Sequence, residues 1–196
     1  MKVNLEKTHE LDAPPAAAWK ILKDINVLAE CMPGASITEQ TGDNAYKGQV
    51  SVKVGPVQSV FGGAVDITSI DDETRSMALT AKGRDKTGTS NAAMSLTAEV
   101  RETGSGGSEI VGNSEITVNG KLANFGARMI NGVADQLIDQ FLTNYTNRVL
   151  AEGEGEAAQE AAERVAEQPK ELSAFGLLFG MIADFFRKLF GRKDDT

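Results

Sequence analysis

Residues 3–11 alternate in polarity, with Val3, Leu5, His9 and Leu11 on one side and Asn4, Glu6, Thr8, Glu10 and Asp12 on the other. That period of two predicts a half-buried strand. Asp12-Ala13-Pro14-Pro15 then opens a helix, since proline is tolerated in a first helical turn. Trp19, Ile21, Leu22 and Ile25 form its apolar side, and a short second helical turn around 27–32 ends at Pro33-Gly34. From there to about 119, strand-like runs alternate with turn clusters such as Thr41-Gly42-Asp43-Asn44, Asp71-Asp72-Glu73 and Gly104-Ser105-Gly106-Gly107. The pattern predicts an antiparallel meander of six strands. Apolar positions from Leu122 to Val149 then recur every three or four residues, predicting one long helix over 122–150 that lies across the sheet. The order β-α-α-β6-α gives an α+β fold in which a curved antiparallel sheet grips a C-terminal helix.

Small residues crowd the apolar face of the central strands. The face holds Ser59, Phe61, Gly63 and Val65, then Met77, Leu79, Ala81 and Gly83. It continues with Ser90, Ala92, Met94, Leu96 and Ala98, then Ile110, Gly112, Ser114 and Ile116. A helix packs some 10 Å from a sheet, so side chains this short leave space that suits an apolar cavity. The alternative is that bulky helix residues fill the gap. On the first reading, Phe61, Met94, Phe125, Met129, Val133 and Leu137 line the cavity and a hydrophobic small molecule occupies it. The loops at Met32-Pro33-Gly34 and Gly55-Pro56 would then form its entrance or a docking surface.

The C-terminal segment is patterned differently. Five of the eight phenylalanines lie in the last 22 residues. On a helical wheel from 172 to 190, Phe175, Leu178, Phe179, Ile182, Phe185, Phe186, Leu189 and Phe190 fall in one half, while Asp184, Arg187 and Lys188 fall in the other. As a helix the stretch is roughly 28 Å long, but crossing a bilayer would place three charges in hydrocarbon. An interfacial position avoids that cost and lets Arg187, Lys188, Arg192 and Lys193 meet anionic headgroups. A groove on a partner protein and self-association are the competing destinations.

Charge supports a division into three parts. Residues 1–149 hold 14 Lys/Arg against 18 Asp/Glu, residues 150–171 hold 2 against 7, and residues 172–196 hold 4 against 3. The overall −8 is therefore concentrated in the segment between body and tail. Residues 1–150 read as the ligand-binding domain, 151–171 as an acidic Ala/Glu-rich flexible linker, and 172–196 as an amphipathic membrane-associating helix with a basic end. The linker carries a short solvated helix over 157–167, and as a coil it would reach roughly 25 Å. No part is basic enough for nucleic acid. The first residues, MKVNLEKTHEL, are too charged for a signal peptide, so a cytoplasmic location on the inner face of the membrane is expected. The lone Cys31 fits a reducing compartment.

Candidate chemistry is sparse. His9 and Cys31 are the only residues of their kinds and are separated by a helix, so a structural role for each is the expectation. Metal binding would need more nitrogen or sulfur ligands than the chain has. Gly83-Arg84-Asp85-Lys86-Thr87-Gly88 lacks the strand–loop–helix setting of a phosphate cradle and reads as a hairpin turn.

Several short motifs carry a family resemblance. Pro14-Pro15 with Trp19, Cys31-Met32-Pro33-Gly34-Ala35, Val54-Gly55-Pro56-Val57, Phe61-Gly62-Gly63 and Gly120-Lys121-Leu122-Ala123 followed by Phe125-Gly126 resemble the carbon monoxide dehydrogenase G-subunit (CoxG) family. That family belongs to the START-like (SRPBCC), helix-grip superfamily of hydrophobic-ligand proteins, and the likeness covers residues 1 to about 150. It implies a non-enzymatic accessory protein of the molybdenum carbon monoxide dehydrogenase, associated with the cytoplasmic membrane. It also implies a respiratory quinone such as menaquinone as the bound ligand, with no covalent cofactor. A purely structural recruitment factor and a cyclase- or hydrolase-like enzyme of the same fold are the alternatives.

Overall fold

The computed structural model describes residues 1–168. Its elements are β1 (Lys2–Leu11), α1 (Pro15–Leu22), α2 (Ile25–Cys31), β2 (Ala35–Gln40), β3 (Ala45–Val54), β4 (Val57–Asp71), β5 (Ser76–Asp85), β6 (Ser90–Glu102), β7 (Ser108–Gly120), a 3-10 turn (Lys121–Phe125), α3 (Ala127–Ala151) and α4 (Glu156–Ala166). The seven strands form one antiparallel sheet in the order β1-β7-β6-β5-β4-β3-β2. Six of them are the expected meander. The first strand closes the order by pairing with the last, Val3 opposite Ile116 and Leu11 opposite Ser108.

One end of the sheet is closed by α1 and α2. Pro15 stands at the start of α1, and the Asp24 carboxylate caps α2 by accepting from the backbone N–H groups of Asn26 and Val27. Trp19 donates its indole N–H to Asp72 at 2.6 Å, tying α1 to the β4–β5 turn. The Tyr145 hydroxyl, fully buried, donates to the Ala18 carbonyl at 2.7 Å and fixes α3 against α1. Around these contacts Leu22, Leu28, Cys31, Met77, Val100, Leu142 and Val149 form the larger apolar cluster. A smaller one at the other end joins Val3, Val54, Phe61, Val118, Leu122 and Ile130.

Two differences from the sequence expectation concern the long helix. It begins at Ala127, because Gly120 and Gly126 both adopt positive φ and enclose a 3-10 turn. The Ser90 hydroxyl accepts from the Leu122 N–H and anchors that turn. A side chain on Gly120 would also meet the Thr89 carbonyl, so only glycine fits there. The helix expected at 157–167 is present as α4, but docked rather than solvated. Ala158 and Ala161 are buried, and Arg164 Nε donates to Asn147 on α3 at 3.0 Å.

Strands β4 and β5 approach each other closely at Gly63. A Cβ there would lie 1.9 Å from the Lys82 carbonyl oxygen, whereas one on Gly62 would have nothing within 4 Å. Gly63→Ala is therefore expected to cost about 1–3 kcal/mol in urea unfolding, and Gly62→Ala to stay within about 0.5 kcal/mol of the parent. Equal effects would show that the backbone there relaxes to accept a side chain.

Candidate functional site: the interior between sheet and helix

Strand register converts the run of small inward residues into a trough. Gly48, Gly63, Gly83 and Ala92 are successive partners across β3, β4, β5 and β6. The next row inward holds Val65, Ala81, Met94 and Ile116, all half-buried. Gly63 itself is exposed although it faces inward. One helix does not seal the middle of this sheet.

A small, partly open pocket lies between sheet and α3. It measures about 70 Å³ and is lined by Leu5, Lys7, Leu96, Ala98, Ile110, Gly112, Ser114, Ile138 and Leu142. Its walls are almost wholly apolar, and Gly112 and Ala98 create it by leaving space opposite α3. The Ser114 hydroxyl oxygen is buried without a hydrogen-bond partner among the described residues. A larger depression of about 460 Å³ lies across β1, β7 and β6, where Asn4, Glu6, Ser95, Thr97, Asn113 and Glu115 point outward. That depression is mixed in polarity, with Leu5 and Leu96 also contributing to its floor, and is open to solvent.

Polar ties close the β1 side of the interior. Lys7 Nζ meets Asp139 at 3.3 Å and Asp135 at 3.5 Å, one helical turn apart on α3. The hydrogen bond and charge of Asp139, with a smaller contribution from Asp135, raise the Lys7 ammonium above its ordinary pKa. His9 Nε2 lies 2.9 Å from the Thr146 hydroxyl. Since Thr146 already donates to the Leu142 carbonyl at 2.8 Å, it accepts from His9, which is thereby occupied as a donor. Cys31 is buried, and desolvation pushes its thiol up to about 11, so it is an inert core residue. The two are engaged separately, His9 with Thr146 on α3 and Cys31 in the core cluster, where the carbonyl of Cys31 accepts from Asn144 Nδ2 at 2.9 Å.

The residues proposed from sequence are distributed as follows. Phe61 is buried in the smaller cluster, with Phe125 and Val133 packed against it. Met94 packs against the larger one. Leu137 is half-buried, and Met129 is exposed beside Gly55. None of the six lines the 70 Å³ space. After the break at Gly126, α3 turns Ile138 and Leu142 toward that space instead. Met32, Pro33 and Gly34 connect α2 to β2, with the Gly34 carbonyl accepting from Ser51 on β3. Gly55 and Pro56 form the exposed β3–β4 turn. The two loops meet α3 at opposite ends, through Cys31 and Asn144 and through Gly55 and Met129. Asp85 is taken up by its own hairpin, where hydrogen bonds from Thr87, then from Ser90 and Thr89, hold its carboxyl below the usual range. The residues Phe175, Leu178, Phe179, Ile182, Phe185, Phe186, Arg187, Lys188, Leu189 and Phe190 lie outside the described residues.

Of the residues lining the 70 Å³ space, sequence reasoning placed Gly112 and Ser114 on the inward face without naming them as lining residues, and it missed Lys7. A signal for Lys7 existed: it shares the inward parity of Leu5 and His9, and a cation there calls for acidic partners such as the pair spaced four apart on α3.

A seven-stranded curved sheet holding one long C-terminal helix defines the helix-grip, START-like class. Among solved structures, a conserved protein from Geobacillus kaustophilus has a TM-score of 0.68 at 22% identity, covering 75% of this chain and 95% of that one. The Zhui aromatase/cyclase from Streptomyces sp. R1128 has 0.57 at 17%, covering 79% and 100%. Ara h 8.0201 has 0.52 at 18%, covering 77% and 99%. These likenesses establish the fold alone. The chain belongs to the carbon monoxide dehydrogenase G-subunit (CoxG) family, whose model matches residues 8–150. A search of curated proteins gives no match. Among the described residues, no helix is long and apolar enough to cross a membrane.

The unpartnered Ser114 hydroxyl gives a direct test of the interior. Ser114→Ala is expected to raise stability by up to about 1 kcal/mol in thermal unfolding, because an unsatisfied buried hydroxyl is removed. A loss of stability would identify a bound water or ligand as its partner.

Proposed function

We propose that the protein is a non-catalytic accessory factor of a molybdenum carbon monoxide dehydrogenase that carries a hydrophobic quinone of the menaquinone type. The domain takes the quinone into the interior between sheet and α3 and presents it to the dehydrogenase. The segment 172–196 holds the protein on the cytoplasmic face of the membrane. Family membership supports the dehydrogenase partnership. The observation that carries the ligand is the row Gly48, Gly63, Gly83 and Ala92, which leaves an apolar sheet face uncovered.

The 70 Å³ of this partly open pocket is less than a quinone ring system requires, since small-molecule sites usually span about 300–1,000 Å³. Loading therefore requires α3 to move away from β1 and β7. That small volume favours a second reading, in which the protein recruits the dehydrogenase and carries nothing. Organic extraction of the purified protein separates the two: near one quinone per chain is expected, and repeated extractions without a lipid-soluble compound would leave the recruiter. An enzyme of the cyclase kind is the third reading, and a turnover abolished by His9→Ala would establish it.

For the tail, the full chain is expected to float with anionic liposomes, and a chain ending at Glu171 to float markedly less. Equal flotation of both would remove the anchoring role of 172–196.

A further inference from the structure

Charge is segregated between the two ends of the sheet. The β1–α1 connection and the β2–β3, β4–β5 and β6–β7 turns carry Asp12, Asp43, Asp71, Asp72, Glu73 and Glu102. Of the cations near them, Lys23 pairs with Asp72 and Arg101 with Glu99, and Arg75 stands in the β4–β5 turn itself, leaving the acids in excess. The opposite end gathers the N-terminus, the β3–β4 and β5–β6 turns, the 3-10 turn and the start of α3. It carries Lys53, Arg84, Lys86, Lys121 and Arg128, all exposed. The carboxylate of its β5–β6 turn, Asp85, is consumed by Thr87, Thr89 and Ser90. Among the described residues Lys86, Lys121 and Arg128 have no carboxylate partner. Backbone bonds hold this end together, Lys86 N–H to the Val60 carbonyl at 3.0 Å and Lys121 N–H to the Thr89 carbonyl at 3.1 Å. The positive end of the α3 dipole adds to the same pole.

Large apolar side chains protrude from the centre of this basic end. Val57 is 39% and Met129 42% exposed, and Met129 Sδ lies against Gly55 at the apex of the β3–β4 turn. Pro56 completes the apex and is exposed. Apolar residues at a protruding apex, ringed by cations, match a bilayer interface, where the apex enters the headgroup layer and the cations meet lipid phosphates. The course of the chain agrees. The helical hairpin returns α4 along α3, with Arg164 beside Asn147, so the chain leaves Gln168 heading toward this end. From Asn147 back to Met129 is roughly 27 Å along α3, within reach of the residues beyond 168.

We infer that the apex Gly55-Pro56-Val57 with Met129, ringed by Lys53, Lys86, Lys121 and Arg128, is a second membrane-contact surface for anionic lipid, built into the folded domain. It rests on the membrane association proposed above and adds an orientation: the basic end faces the bilayer and the acidic end faces away. The seam between the β3–β4 turn and α3 then opens toward the lipid.

The full chain tests this with an environment-sensitive fluorophore on Val57→Cys, Cys31 being buried, and on Asp43→Cys at the far pole. With phosphatidylglycerol-containing vesicles the label at 57 should shift to the blue and resist an aqueous quencher, whereas that at 43 should not change. Phosphatidylcholine vesicles should shift neither. Each Lys or Arg near an anionic surface changes partitioning about fivefold, so Lys86→Glu, Lys121→Glu and Arg128→Glu together should weaken binding of the full chain at least about tenfold. A label at 57 that stays in water while the full chain floats would overturn this surface and leave the tail as the anchor. If the full chain does not float at all, both this surface and the proposed membrane association fail. A label at 57 that responds to purified dehydrogenase but not to vesicles would assign the surface to an acidic protein and overturn the inference.

Discussion

One helix cannot cover seven strands. Strands about 4.8 Å apart make a sheet roughly 30 Å wide, and an α-helix with its side chains is only about 10–12 Å across. The sheet must curl around the helix, close one end by other means and leave the remainder open. Each solution is visible in the residues. Gly63, with no room for a side chain against Lys82, lets β4 and β5 pack closely, and the register of the pair shifts between Ile67 and Ser69. Trp19, Leu22, Ile25 and Leu28 of α1 and α2 plug one end. What remains is the open middle, where Ala81 and Met94 stay half-buried and Gly63 exposed on the inward face. The open middle of the sheet is thus the residue of a packing problem rather than a separately constructed pocket.

The same antiparallel order separates the charges. Alternate turns of a meander necessarily emerge at opposite ends, so a sequence that places its acids in every second turn builds a dipole without any long-range pairing. Asp43, Asp71, Asp72, Glu73 and Glu102 lie at one end, while Lys53, Arg84, Lys86 and Lys121 lie at the other. A body with a net charge of only −4 over residues 1–149 can therefore present a basic face. Net charge alone excluded nucleic acid from consideration; it could not reveal this pole, because turn order enters only once the strands are paired.

The elements that follow a simple period were legible in advance. Strand alternation in β1, proline at the start of α1, turn clusters between strands and the 3.6-residue repeat of α3 were enough for the architecture. Inward parity was readable too, because two-residue periodicity fixes the face once a few apolar positions are known. The helix phase was not. Phe125 was placed on the long helix, whereas it lies in the 3-10 turn between Gly120 and Gly126, both at positive φ. Met129, Val133 and Leu137 do lie on α3, but Ile138 and Leu142 are the ones that border the pocket. Lys7, and the unsatisfied state of the Ser114 hydroxyl, escaped notice because the partners of inward polar groups become visible only once their surroundings are known.

Those surroundings explain how unequally α3 is held. Its second half is fixed by burial: Leu142, Tyr145 and Val149 are inaccessible, the Phe141 and Tyr145 rings stack at 5.8 Å, and the Tyr145 hydroxyl is committed to Ala18. Separating these groups would strand a buried carbonyl and expose a core, at a cost of several kcal/mol. In its first half only Ile130 is buried, while Val133 and Leu137 are half-buried and Met129 is exposed. There Lys7 holds Asp135 and Asp139 through partly exposed ion pairs, a kind worth about 0–1 kcal/mol and fully hydrated when broken. Local opening of a structure follows its weakest contacts. The first half of α3 is therefore held less firmly than the second, and Ile138 of that half borders the space lined by Leu5, Leu96, Gly112 and Ser114.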